Sequence, residues 1–388
     1  MIFYKVRKIS CIFLTLKNRG NRIKVLYLVG VKSMKKYMDL EDMSKVNCSS
    51  VLNVIREAKE ISRKEISDIT GLSWGGMTKI VNKLFEKGYI EEEKNTAATG
   101  VGRTPGVITI CKDKNVVIGL DINHEGLEGC VINLAGEILG EHSAPLKFTN
   151  KEELLESIIS FASHVVKENN NKNILGIGVA MQGMVDAAKG ISIMFPGCDN
   201  WENVAIKDIL ENHLHYPVYI EHDPNCMLYA AIYNNPAENC VLFRIDRSIG
   251  MAVTVEGNVL QGNGLLEVAH SIAVPGGRKC KCGKRGCVEA YLQACLENKE
   301  IHDNAIEEAA EVIAVLMYNM SQVFNASKII LSGSLMSYRE YFEEQLLACF
   351  NKLNADEKVK VVFLEGNKNV VYGAAMIAVQ EAIDSIEI

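Results

Sequence analysis

The chain has 388 residues, too many for one small core, and its 48% hydrophobic and 23% charged residues suit a globular protein of two or three domains. Net charge is −6, but unevenly spread: residues 1–110 hold 20 Lys and Arg against 11 Asp and Glu, and residues 111–388 hold 22 against 37. Ten of those 20 cations lie in residues 1–37, where there is no acid, so a nucleic-acid reading of the front half rests on where its cations sit and not on their total. Most of the twelve cysteines stand singly in apolar stretches, as at Cys111, Cys130, Cys240 and Cys349. That is the pattern of buried, reduced thiols in a cytoplasmic protein, and it excludes a secreted disulfide framework.

Residues 1–40 read as a basic extension. Its apolar runs "ISCIFLTL" and "VLYLVG" fall well short of the roughly 20 residues that span a bilayer, and no small-residue cleavage site follows the first. The expectation is a mis-called start, with Met34 or Met38 as the true beginning; the alternative is an arm lying on a membrane surface. No membrane partner is otherwise expected.

Residues 41–112 read as a winged helix-turn-helix. "SSVLNVIREAK" puts Val51, Val54 and Ile55 on one helical stripe. Ser62 with Glu65 three positions on is a capping box, so a second helix starts there. In "TGLS", Gly71 supplies the turn, Leu72 fills the gap and Ser73 caps a third helix, expected to run to Lys87 and stop at Gly88. A strand from Tyr89, the glycine-rich loop "NTAATGVGRTPG" and the strand "GVITI" complete the wing.

In such folds the second helix of the turn enters the major groove of double-stranded DNA. Its outward residues are expected to be Trp74, Gly75, Gly76, Thr78, Lys79, Asn82 and Lys83, behind the cap Ser73. Asn suits an adenine edge and Lys a guanine or a phosphate. Arg63 and Lys64 on the preceding helix and Arg103 in the wing are expected at phosphates. Each glycine costs about 1 kcal/mol of helix propensity, which close backbone approach to DNA would offset. A winged helix used for protein contacts is the alternative.

Residues 113–388 read as two similar α/β halves. "NVVIGLDINHEGLEGCVINLAGEILGEH" is a strand, a loop and a hairpin around "LAGE", followed by a helix at 151–169, the strand "ILGIGVAM" and the helix "VAIKDILENHL". "NCVLFRIDRSIGMAVTVEGNVL" begins the second set, with a helix at 304–323, "SKIILSG", a helix at 338–352, "KVVFLE" and the helix "YGAAMIAVQEAI". Two such halves suggest a cleft that holds the ligand. "CKCGKRGC" places Cys280, Cys282 and Cys287 within eight residues, with His270 nearby. This grouping favours zinc over redox pairing, because a C-x-C bridge is strained; a redox cluster and unliganded thiols remain the alternatives.

The stretches "SRKEISDITGLS", "GVGRTPG", "GIGVAMQGMVD", "PVYIEHDPNCMLYA", "EVAH" and "CKCGKRGCVEAYL" resemble the ROK family of repressors and sugar kinases, over roughly residues 45–385. The resemblance implies an actin-like (ribonuclease H-like) two-lobed sugar-kinase fold of class α/β, preceded by the winged helix-turn-helix, and oligomers built from dimers. It implies a structural zinc on His270, Cys280, Cys282 and Cys287, a closed site with no place for a reacting water. Gly283 and Gly286 permit the turn that aims the sulfurs inward.

By the same resemblance Asp223 matches the base that takes the sugar proton, and Glu267, His270 and Glu289 match sugar-hydroxyl acceptors. His222 replaces the usual asparagine, and "PGCDNW" departs from the family's "PGW" lid, which implies an unusual sugar. The family's phosphate loops D-x-G-G-T and G-T-G-x-G are replaced by Asp121-Ile-Asn-His-Glu-Gly and Asp246-Arg-Ser-Ile-Gly, and the adenosine loop by Ser332-Gly-Ser. The resemblance therefore implies no catalysis, with Asp223 a relict base. The expected protein is a cytoplasmic repressor of carbohydrate-utilisation genes, a dimer or tetramer that binds an operator and is released by a sugar held at His222, Asp223, Glu267, His270 and Glu289. A sugar kinase fused to a DNA-binding domain and a repressor governed by a partner protein are the alternatives.

Overall fold

The computed structural model describes residues 13–18, 21–26, 40–93, 106–233, 239–246, 248–260, 266–297, 303–333, 339–355, 358–364 and 368–386. The chain divides into two units, Met1–Asn115 with Glu381–Ile388, and Val116–Gln380.

The first unit opens with strands β1 (Phe13–Asn18) and β2 (Asn21–Leu26), paired antiparallel. Helix α1 (Leu40–Ala58) buries Val51, Leu52, Val54 and Ile55 completely or nearly so, the spacing that makes one apolar face. Helix α2 (Arg63–Thr70) starts on the expected capping box, in which the Ser62 side chain accepts from the Glu65 N–H and the Glu65 carboxylate accepts from the Ser62 N–H. Gly71 ends it in the left-handed conformation, at φ 67°. Helix α3 (Trp74–Glu86) is capped by Ser73 and buries Met77, Val81 and Leu84 along one side.

Strands β3 (Ile90–Glu93) and β4 (Val107–Ile110) pair antiparallel, and Ile61 adds a short third strand by exchanging backbone hydrogen bonds with Ile108 at 3.1 and 2.8 Å. This is the three-helix and β-ribbon layout that the sequence suggested. The connection between β3 and β4, with Arg103, lies outside the described residues.

In the second unit the first sheet holds β5 (Asn115–Asn123), β6 (Gly126–Asn133), β7 (Ile138–Ala144), β8 (Asn173–Met181) and β11 (Val218–His222). Helix α4 (Lys151–Glu168), the hairpin β9 (Met184–Asp186) and β10 (Ile191–Met194), helix α5 (Ile206–Leu214) and helix α6 (Asp223–Tyr233) connect or follow them. The second sheet holds β12 (Cys240–Ile245), β13 (Ile249–Val255), β14 (Asn258–Val259), β15 (Lys328–Ser332) and β16 (Lys360–Phe363). Its helices are α7 (Val288–Glu297), α8 (Asp303–Val323), α9 (Arg339–Leu353) and α10 (Lys368–Ser385).

The sheets run β11-β8-β5-β6-β7 and β14-β13-β12-β15-β16. With each set of strands counted from its own start, both orders are 3-2-1-4-5, which is the signature of a duplicated half.

Strand alternation explains the layering. On β12, Val241, Phe243 and Ile245 face the core made with α7, α8 and α9, while Cys240 and Leu242 face a separate core that includes α6 and α10. On β5, Ile118, Leu120 and Ile122 face the core shared with α4 and α5. The alternate residue Gly119 faces α10, and by the same period of two Asp121 lies on that side of the sheet. Helices α6 and α10 thus form a middle layer between the sheets. Gly178 on β8 is required there, because a Cβ would lie 1.8 Å from the Ala374 carbonyl of α10.

Candidate functional site

The solvent face of α3 carries the first set of predicted residues. Trp74 is 58% exposed, and Gly75, Gly76, Lys79 and Asn82 are exposed beside it, with Lys83 half-buried. A Cβ at Gly75 would meet nothing within 4 Å, so no packing inside the protein demands that glycine. Thr78 departs from expectation: it is half-buried, and its hydroxyl oxygen is enclosed without a partner among the described residues.

Arg63 is not a free cation. Its Nη1 donates to Asn82 Oδ1 at 2.9 Å and its Nη2 to Glu92 Oε2 at 2.9 Å. The guanidinium therefore ties α2 to α3 and to the wing strand, and one lone pair of the Asn82 carbonyl is already used. Lys64 is exposed at the start of α2.

The second set lies in the loop before α7. Residues 278–286 fold as a tight hairpin, with the Cys280 N–H donating to the Lys284 carbonyl at 2.9 Å and the Gly286 N–H to the Arg278 carbonyl at 2.8 Å. Gly286 sits at φ 85°, and a Cβ there would lie 1.7 Å from the Val274 carbonyl, so only glycine allows this crossing. Cys280 and Cys287 are buried and Cys282 exposed.

The donor atoms of His270, Cys280, Cys282 and Cys287 all lie within 4.8 Å of one another. Cys280 Sγ is 3.5 Å from His270 Nδ1, and Cys282 Sγ is 3.6 Å from Cys287 Sγ. Tetrahedral zinc with bonds of about 2.3 Å to sulfur and about 2.0 Å to nitrogen spaces its ligands by roughly 3.5–3.8 Å. The donor set and its spacing therefore fit a closed metal site.

The expected sugar residues fall into two pairs, with Glu267 exposed. His270 Nδ1 lies 3.2 Å from Glu289 Oε2, which links the thiol cluster to one of the expected acceptors. At the other pair, His222 Nε2 lies 3.3 Å from Asp223 Oδ1. Burial first, and Arg244 second, lower the His222 pKa against the pull of Asp223, so its imidazole is neutral near pH 7.

Sequence reasoning missed Arg244. This residue is 5% exposed on β12; its Nη1 donates to Asp223 Oδ2 at 2.6 Å and its Nε to Asp246 Oδ2 at 2.7 Å. Burial opposes its charge, but Asp223, Asp246 and Asp121 more than offset that and hold it protonated. Asp121 is fully buried; its Oδ2 accepts from Asn123 Nδ2 at 2.9 Å, and its Oδ1 has no partner among the described residues.

Ser332, in register with Arg244 on the neighbouring strand, is likewise buried with its hydroxyl unpaired among those residues. Both oxygens of Asp223 are thus engaged, one by a guanidinium. The available signal was the arginine itself, in an otherwise apolar strand "CVLFRI", where a buried charge requires a partner.

Trp201, from the segment "PGCDNW", is buried in the core of the first sheet, with its Nε1 donating to Ser192 Oγ at 2.9 Å. A surface groove of about 480 Å³ runs along this segment, lined among others by Met194, Asp199 and Glu202.

Two duplicated α/β halves with a thiol cluster, behind a winged helix-turn-helix, define a two-lobed protein of the sugar-kinase fold joined to a DNA-binding module. The ROK family model matches residues 117–381, and a winged helix-turn-helix DNA-binding model matches residues 50–91. The chain belongs to the ROK family.

The xylose repressor of Caldicellulosiruptor bescii is 23% identical over 354 residues, covering 80% of this chain and 88% of the relative. A solved ROK family transcriptional regulator, a homologue of the Escherichia coli Mlc protein, superposes with a TM-score of 0.76 at 19% identity, covering 88% of this chain and 97% of that one. The ROK hexokinase of Thermus thermophilus superposes with a TM-score of 0.57 at 21% identity, covering 67% of this chain and 97% of its own. No described helix is long and apolar enough to cross a membrane.

Proposed function

We propose that this protein is a cytoplasmic transcriptional repressor of carbohydrate-utilisation genes, with residues 41–112 as the DNA-binding module and residues 113–388 as the effector module. The observation that carries this reading is the exposed start of α3. There Trp74, Gly75, Gly76 and Lys79 face solvent from a helix-turn-helix, in a chain whose matched relatives include a xylose repressor. A dimer or tetramer presents two such helices to a two-fold operator. Arg63 and Lys64, with Arg103 in the wing, hold phosphates while Lys79, Asn82 and Lys83 read bases. Arg63 first exchanges its bonds to Asn82 and Glu92 for a phosphate or keeps them and orients the asparagine.

The effector is a sugar, with xylose the first to test, held by His222, Asp223, Glu267, His270 and Glu289. His270, Cys280, Cys282 and Cys287 hold a structural zinc, which when bound supplies no chemistry beyond fixing the loop that leads to Glu289. The protein is not an enzyme in this reading. Arg244 and His222 already engage the two oxygens of Asp223, and by the resemblance Asn123, His124 and Asp246 take the places of glycines in the phosphate-binding loops of kinases.

Fluorescence anisotropy on the DNA upstream of the protein's own gene tests the DNA arm. Specific binding is expected, and Lys64→Ala, at a proposed phosphate contact, should weaken it uniformly and reduce the salt slope by about one. Absence of any sequence-specific binding would remove this function. The sugar-kinase fold keeps a kinase reading in view, and ATP-dependent phosphorylation of any sugar by the purified protein would establish it.

A further inference from the structure

We propose that His142, His164 and Glu168 form a second metal site, on the outer edge of the first sheet, for an exchangeable divalent cation of the zinc, nickel or copper class. His142 lies on β7, the edge strand of that sheet. His164 and Glu168 lie one turn apart at the end of α4, so both point to the same side of the helix. Gly129, the partner of His142 across the β6–β7 ladder, leaves room beside it: a Cβ there would already touch His142 Cβ at 3.5 Å and the Phe161 ring of α4 at 3.4 Å. The absent side chain lets the imidazole lean towards α4.

The carboxylate faces both imidazoles, one oxygen to each, at distances a cation can bridge. Glu168 Oε2 lies 3.4 Å from His142 Nδ1, and Glu168 Oε1 lies 3.5 Å from His164 Nε2. Both are long for charge-assisted hydrogen bonds, which run at about 2.7–2.9 Å. Nitrogen and oxygen ligands about 2.0–2.2 Å from a tetrahedral zinc stand roughly 3.3–3.5 Å apart.

The two rings meet edge to face with centroids 6.2 Å apart, and one donor atom from each of the three residues falls within 4.8 Å of the others. Two imidazoles and one carboxylate select borderline cations over magnesium and calcium, which take all-oxygen sets. His142 is 15% exposed, His164 60% and Glu168 51%. The site therefore has one shielded ligand and an open side. A bound cation keeps water in its remaining positions and exchanges readily, unlike one held in the closed cysteine cluster.

The test counts metal on the full chain and does not depend on how much the cysteine cluster holds. The unchanged protein, His164→Ala and His142→Ala are each dialysed to equilibrium against the same free Zn²⁺ and assayed for bound zinc per chain, and then loaded with Cu²⁺ for electron paramagnetic resonance. Each variant is expected to hold one equivalent less than the unchanged protein, with the same circular dichroism spectrum, and to lose the copper signal split by two nitrogens. Mg²⁺ in excess should leave the count unaltered. Equal zinc in all three proteins overturns the site, and loss in only one variant overturns the three-ligand set.

Discussion

Arg244 and Asp121 are the residues on which the electrostatics of the second unit turn. Arg244→Met would leave Asp223 and Asp246 without their buried partner. Breaking a buried pair on one side costs about 3–5 kcal/mol, so its urea midpoint should fall clearly, and Arg244→Met with Asp223→Asn should recover part of the loss. An unchanged midpoint would mean that the cluster rearranges at little cost.

Asp121 carries a pH signature. Burial, helped by Asp223 and Glu128 and opposed by Arg244 and Asn123, pushes its pKa from 3.8 up to about 7. Between those values the folded chain holds a proton that the unfolded chain has released. Stability from this residue therefore falls as pH rises through that window, and the full cost is present above about pH 7. Asp121→Asn cannot ionise, so its melting temperature should exceed that of the unchanged chain by more at pH 8 than at pH 5. A gap that stays constant with pH would contradict the assignment.

At the scale of elements, the proposed DNA contact of α3 can be tested at Gly75. Gly75 is exposed, inside a helix and free of steric demand. Gly75→Ala should stabilise α3 by up to about 1 kcal/mol and weaken specific DNA binding, because a methyl group then stands between the helix and the groove. Tighter binding would show that no backbone approach occurs there.

The local grammar of this region was readable beforehand: the Ser62–Glu65 box, the Gly71 turn and the Ser73 cap act within four residues of themselves and lie where the sequence put them. Helix α7 was not read as a helix, since its start is set by the preceding loop, where the Glu289 N–H donates back to the Ala269 carbonyl. The short hairpin β9–β10 was missed for a similar reason, as its three or four residues per strand give too little alternation to see.

At the scale of the molecule, the repeat of strand, hairpin, helix, strand was visible twice along the chain, and the two sheets have the same strand order. The tie between them was not. Arg244 meets Asp223 across 21 residues of sequence, and Asp121 lies farther still, so no local pattern links them. The thiol cluster occupies the middle ground: three cysteines were legible from spacing and His270 from the resemblance, while the closeness of the four donor atoms comes only with the fold. His222, Asp223, His270 and Glu289 were chosen one by one from motifs, and the structure joins them as two pairs.

The account joins these parts by linkage: a sugar that binds one conformation of the second unit better than another shifts DNA affinity by that difference and no more. The measurement that tests it most directly is anisotropy of the preformed complex with upstream DNA, with sugars added one at a time and no ATP present. The account predicts that one sugar, xylose or a close relative, releases the DNA by itself. Release by none of them, or release only when ATP is supplied and the sugar is phosphorylated, would contradict it.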